Sequence, residues 1–284
     1  MKTILYATDY SKNSAAALKL SYWLSKKLDA KLVILHVFDL NVALLTPLSL
    51  TYSKMEKETY SKHLEKLSVF CDSATGILPD GERMQIVIKE NAIVYEGILE
   101  TQKEMGADLV VMGMKGSSTL KELIIGSTTI AMIEKSPCPI LAVPSSINEI
   151  ALKTITYTTD FEESDLHAIA WLVKNFISKL NATLNIVHIS TKNEYAGEDQ
   201  MEWFKEMLQQ KVSFDKLDFK ICFSDDIFKE LVLFLSKTKT DLVVMLEREK
   251  TSFIKSLAHR DLVKQMAFKG TLPLLCFNKE MLSP

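Results

Sequence analysis

The 284-residue sequence predicts an α/β protein made of two tandem, doubly wound parallel sheets of five strands each. Three observations carry this. Short strand-like runs such as 31–38 and the continuously apolar 109–112 alternate with longer segments whose apolar residues recur at helical spacing. The order of these segments recurs in the second half of the chain. Nine glycines and seven prolines are few for this length, which leaves little room for low-complexity linkers.

Taken in order, Thr3 to Ala7 reads as a first strand ending in Thr8-Asp9-Tyr10-Ser11. A helix from Asn13 to Leu28 follows, with Ala17, Leu20, Tyr22 and Leu24 as its apolar surface. Lys31 to Phe38 is the second strand, and Ser53 to Ser73 a charged amphipathic helix carrying Leu64, Leu67 and Phe70. Met84 to Lys89 gives a third strand, Ile93 to Met105 a third helix, and Asp108 to Met112 a fourth strand. A glycine-bearing loop and a last helix lead to the fifth strand, Cys138 to Pro144. Alternation of this kind requires right-handed crossovers and a parallel sheet.

The pattern then starts again. Lys153 to Phe161 repeats Lys2 to Tyr10, and Asn181 to Ile189 repeats Asp29 to Val37. Thr240 to Met245 repeats Ala107 to Met112, and Leu272 to Cys276 repeats Cys138 to Ala142. An internal duplication with its boundary near Ser145–Leu152 divides the chain into domains 1–147 and 148–284. The second copy is expected to be trimmed between its second and fourth strands.

A net charge of −2 gives no electrostatic case for nucleic acid or an anionic membrane surface. No apolar run reaches membrane-spanning length, and Met1 leads straight into a strand, leaving no room for a signal peptide. Cys71, Cys138, Cys222 and Cys276 are scattered, as expected of reduced thiols, and the location expected is cytoplasmic. His36 and His188 occupy equivalent places in apolar strands and read as satisfied core histidines. His63, His167 and His259 lie among charged residues and form no metal-ligand set, so no metal site is expected.

The chemistry gathers at Ala107 to Thr128. Gly113 and Gly116 let the backbone turn sharply and present N–H groups to something that approaches closely. Ser127 or Thr128 can cap the helix carrying Ile130 and Ile133, whose positive end then points at the same place. Such an arrangement is a phosphate site. It is neither a P-loop nor a dinucleotide fingerprint, because the glycine spacings differ. In the second copy Leu246-Glu247-Arg248-Glu249 replaces Gly113-Met114-Lys115-Gly116, which argues against phosphate binding there.

Gly113, two residues, Gly116, nine residues, Gly126 and Ser127 match the glycine signature of the ATP-binding universal stress proteins. The chain resembles the tandem type of that family over almost its whole length, with the motif in the first half alone. The resemblance implies Rossmann-like sheets of strand order 3-2-1-4-5 and a nucleotide at the C-terminal ends of strands one and four, where the order reverses. It implies Asp9 near adenine and ribose, Val37 against adenine, and Met112 before the loop. Gly113, Gly116, Gly126, Ser127 and Thr128 would form the ribose and phosphate cradle. Ala7 stands where a proline is common in the family. Each residue also has a purely structural alternative: a helix cap for Asp9, core packing for Val37 and Met112, and turn chemistry for the glycines.

Two classes of function stay open. One is a stress-response regulatory module holding ATP, AMP or ADP, with Mg beside the phosphates but no carboxylate cage of the protein's own. The other is a slow ATP hydrolase or phosphate-transfer enzyme. The sequence identifies no catalytic base and no arginine finger near the loop, which favours binding over turnover. A third reading makes the second half a ligand-free scaffold, with the halves pairing through their fifth strands as a pseudo-dimer. A homodimer and a protein partner are further expectations.

Overall fold

A computed structural model describes residues 1–40, 50–114, 126–147, 150–191, 197–247, 262–263, 265–266 and 271–282. In the first half, strands β1 (Thr3–Ala7), β2 (Lys31–Phe38), β3 (Met84–Glu90), β4 (Leu109–Gly113) and β5 (Ile140–Val143) alternate with helices. These are α1 (Lys12–Leu28), α2 (Leu50–Thr75), α3 (Val94–Met105) and α4 (Ser127–Lys135). The second half has β6 (Thr154–Thr158), α5 (Glu163–Leu172), α6 (Ser178–Leu180), β7 (Thr183–Ser190) and α7 (Gly197–Lys211). It continues with β8 (Leu217–Phe223), α8 (Ile227–Lys237), β9 (Leu242–Glu247) and β10 (Leu274–Asn278).

The two five-stranded sheets join into one, in the order β3-β2-β1-β4-β5-β10-β9-β6-β7-β8. Each half runs 3-2-1-4-5 in its own numbering, and within each half every pairing is parallel. The seam is antiparallel: Leu141 faces Leu275, its own counterpart in the repeat, with Ala142 opposite Leu274 and Ile140 opposite Cys276. Equivalent residues meeting across a local twofold make the junction isologous. Pairing covers two apolar edges that would otherwise lie open, and leaves β3 and β8 as the outer strands. Along β8 exposed and half-buried residues largely alternate, as one solvated face requires.

Side chains alternate between two cores. Tyr6, Leu32, Ile34 and Val111 face α1 and α2, while Leu5, Val33, Leu35 and Val110 face α3 and α4. Both faces are covered, which is why a central strand such as β4 is continuously apolar from Leu109 to Met112. Each fully buried leucine in these layers, Leu24 for example, contributes about 2 kcal/mol.

The expected trimming of the second copy lies mostly in one helix, with the connections on either side of it also shorter. α7 has 15 residues where α2 has 26, whereas a third strand and its following helix are both retained. An opposite change occurs one helix earlier. The stretch from Glu163 to Leu180 is one residue longer than α1, and a π-helical turn at Val173–Ile177 absorbs the extra residue. Register on the core side is thereby kept at both ends.

Among the described residues, no helix is long and apolar enough to cross a membrane. Cys138 and Cys276 are buried free thiols.

Candidate functional site

β1 and β4 are neighbours, yet their connections leave to opposite sides, so a crevice opens at their C-terminal ends. A cavity of about 220 Å³ occupies it. The strand ends supply Asp9, Val37, Met112 and Gly113, and the start of α4 supplies Gly126, Ser127 and Thr128. These are seven of the eight residues singled out in the sequence. Gly116, with Lys115 and Ser117-Ser118-Thr119, lies outside the described residues, as does His259 in the second half.

The β1–α1 turn is held by a small polar network. Thr8 Oγ1 accepts the Tyr10 N–H at 3.1 Å and donates to Ser14 Oγ at 3.0 Å. Ser14 Oγ in turn donates to the Ser11 carbonyl at 2.7 Å. This lets Tyr10 sit at φ 62°, a left-handed conformation that a bulky residue adopts only where its surroundings fix it. Asp9 is thereby set at the cavity rim, and its Oδ1 accepts the Ser11 N–H at 3.0 Å. The carboxylate therefore shapes the turn before α1 as well as lining the cavity. Ser11, not Asp9, is the N-cap, and it makes no side-chain capping bond.

The opening of α4 corrects one expectation. Neither Ser127 nor Thr128 caps it: the N-cap is Gly126, which has no side chain to give, and the helix begins at Ser127 itself. Among the described residues, Ile130 N–H is the first in α4 to find a carbonyl, that of Gly126 at 3.2 Å. The earliest N–H groups of a helix have no partner inside it, and in α4 they lie at the cavity wall beside the exposed Ser127. A helix N-terminus left this way favours an anion.

The opposite wall is apolar. Val37, 8% exposed, shares it with Leu35, Met112 and Val94 and Ile98 from the first turns of α3. Met114, wholly buried, lines the floor and donates its N–H to the Val143 carbonyl at 2.8 Å. Val94, Ile98, Met114, Ser14 and Thr129 belong to this lining and were not singled out in the sequence. Val94 and Ile98 are four apart on a helix, a spacing that reads equally well as core.

Behind the turn, His36 Nδ1 donates to the Thr8 carbonyl at 2.8 Å, and in the second half His188 Nδ1 donates to the Thr159 carbonyl at 2.7 Å. Both are the satisfied histidines their positions suggested. His63 is not in charged surroundings alone. Its ring stacks on His36 at 4.5 Å and on Phe38 at 5.2 Å, and its Nδ1 meets Tyr10 Oη at 3.1 Å. Burial, with the neighbouring His63 and Lys66, pushes the His36 imidazole down to about 4, against the opposing pull of the Thr8 carbonyl and Asp9. Burial likewise lowers His63, with Lys66 adding to the effect.

An open α/β sheet of order 3-2-1-4-5, with a helix N-terminus and a glycine-edged strand at its switch point, defines a doubly wound protein with a crevice where such sheets bind ligands. The chain belongs to the universal stress protein family, whose model matches residues 1–144. Universal stress protein MJ0577 of Methanocaldococcus jannaschii is 28% identical over 158 residues, 50% of this chain and 94% of the relative. Universal stress protein YxiE of Bacillus subtilis is 32% identical over 146 residues, 49% of this chain and 97% of its own length. Each relative thus corresponds to one half of the chain. The architecture of both halves together is similar to the crystal structure of a universal stress protein from Archaeoglobus fulgidus. The TM-score is 0.73 at 16% identity, covering 98% of each chain, a likeness of fold.

Proposed function

We propose that the protein is a stress-response regulator whose first half, residues 1–147, holds an adenine nucleotide, with ATP as the form its glycine motif favours. The second half, 148–284, acts as the structural partner of a built-in pseudo-dimer. The observation that carries this reading is the convergence of an apolar slot and an uncapped helix N-terminus on one cavity at the switch point. In this reading the base lies against Val37 and the start of α3, Asp9 meets the ribose, and the phosphates run past Gly113 and Gly126 to Ser127 and Thr128. Mg would accompany the phosphates. Asp9 is the one carboxylate among the described lining residues, and it sits on the strand side of the cavity. That supports binding over efficient hydrolysis, which needs a positioned water and charge stabilisation at the terminal phosphate.

Calorimetric titration with ATP-Mg, beside a Gly116→Glu variant that copies the second repeat, tests the reading. A carboxylate set among phosphates should weaken binding by about a hundredfold or more. Equal affinity of the two proteins, or no binding by either, would contradict it.

A further inference from the structure

Gly97 lies in the first turns of α3, packed on β2. A Cβ added there would come within 2.8 Å of Val37 Cγ1, 3.2 Å of its Cγ2 and 3.1 Å of Asn91 Cβ. Carbon atoms pack best at about 3.5–4.0 Å, so the space is taken. At Gly76, Gly81, Gly106 and Gly126 an added Cβ would meet nothing within 4 Å. Among these five glycines the close approach is particular to the point where α3 crosses Val37.

Neither neighbour gives way easily. Val37 is β-branched and stiff at χ1, and its backbone is paired with Lys89 in the sheet. Asn91 donates its N–H to the Phe38 carbonyl at 2.9 Å, and its Oδ1 accepts the Ile93 N–H at 2.8 Å. Val94 and Ile98, three residues before and one after Gly97, form the cavity wall facing Val37. The distance between α3 and β2 at Gly97 thus fixes the width of the apolar slot.

The second half supplies an internal contrast. Its corresponding corner is built the same way, with Ser224 in the place of Asn91 donating its N–H to the Ser190 carbonyl at 3.0 Å. In the matching helix, α8, the place of Gly97 is held by Glu230, which is half-buried. The glycine occurs in the half that carries the glycine loop and is absent from the half that does not.

We infer that Gly97 is a positioning residue for base selectivity, holding α3 against Val37 so that the slot accepts a flat aromatic base. The inference rests on the nucleotide reading above and deepens it. Adding a methyl group at 97 forces Val37 into the slot or α3 away from it. Either change spoils the fit to the base and leaves the phosphate cradle alone.

The test is calorimetric titration of wild type, Gly97→Ala, Val37→Ala and the double variant with ATP and with inorganic tripolyphosphate, Mg present throughout. Gly97→Ala should weaken ATP about tenfold while tripolyphosphate changes by less than about twofold. The double variant, in which the methyl group has room, should bind ATP within about threefold of Val37→Ala alone. The inference is overturned if Gly97→Ala holds ATP as wild type does, or loses both ligands alike. It is equally overturned if the two substitutions are additive. Should Gly97→Ala fail to fold, the ratio of the two affinities in the double variant against Val37→Ala decides the matter. A wild type that binds neither ligand defeats the nucleotide reading itself and this inference with it.

Discussion

The two halves keep the same turns and differ at the same crevice. Asp108 accepts the Lys2 and Thr3 N–H groups, and Asp241 accepts those of Lys153 and Thr154. Left-handed residues recur in step: Tyr10 and Phe161, Asp29 and Asn181, Gly106 and Lys239. Around the crevice the residues diverge. Leu246 stands for Gly113, Glu247 for the buried Met114, Thr158 for Ala7 and Glu230 for Gly97. The retained features hold strands and helices in place, and these four changes fall at or beside the cavity. This contrast supports the proposed division of labour, a binding site in the first half and a scaffold in the second.

The sharpest structural contrast lies at the helix start after the first strand of each half. Ser14 sits there in the first copy, its backbone carbonyl accepting from Tyr6 Oη at 2.7 Å. Its counterpart Asp165 is fully buried and accepts from Tyr157 Oη, Thr159 Oγ1 and the Asp160 and Glu162 N–H groups at 2.8–3.2 Å. Asp165→Ala should cost about 4 kcal/mol in chemical denaturation, since several buried donors lose their acceptor at once. Ser14→Ala should cost about 1 kcal/mol. Comparable losses would mean that the two corners are not held differently.

An intermediate effect separates the histidine stacks. In the first half Tyr10 and His63 pack on His36, whereas in the second Phe161 packs on both His188 and Phe204. The groups facing His36 are Asp9 from the loop after β1 and His63 and Lys66 from α2. Because the folded state holds His36 down to about 4, the unfolded chain binds more protons from about pH 6.5 downward. The contribution is complete above pH 6.5 and is lost as pH falls through 4. It should amount to about 1–2 kcal/mol after solvent screening. His36→Asn, which keeps an N–H donor for the Thr8 carbonyl, should flatten that part of the stability–pH curve. An unchanged slope would remove the stack from the account.

The smallest effect belongs to the surface. Lys89 on β3 pairs with Glu104 at 2.9 Å and Glu100 at 3.3 Å on α3, while Cys222 holds its place in the second half. Lys89→Ala should lower stability by less than about 1 kcal/mol. A larger loss in a thermal melt would show that the α3–β3 contact bears more of the fold than the cavity-side packing does.

Much of this was legible from residues alone, and the reasons are specific. Lys31–Phe38 is a strand buried on both faces, so its run has no polar interruption before His36 and its bounds are plain. Leu50–Thr75 begins three residues before Ser53, ahead of the charged stretch whose helical spacing marked the element. The π-helical turn at Val173–Ile177 is invisible in periodicity and shows only as a one-residue slip between repeats. At the crevice, residues within the glycine motif could be named because their spacing is tied to a turn. Val94, Ile98 and Thr129 could not, since a helix that lines a cavity carries the same apolar pattern as one that lines a core. Gly97 left no local signal at all, because its meaning lies in the distance between α3 and β2.

The proposed function makes the chain asymmetric, with one nucleotide site in two copies of the fold. Titration with ATP-Mg, followed by hydrogen exchange on the saturated protein, tests it most directly. The account predicts close to one equivalent per chain, with exchange slowed at Thr8–Ser14 and at the start of α4. Two equivalents, or protection appearing at Thr159–Asp165 instead, would contradict it.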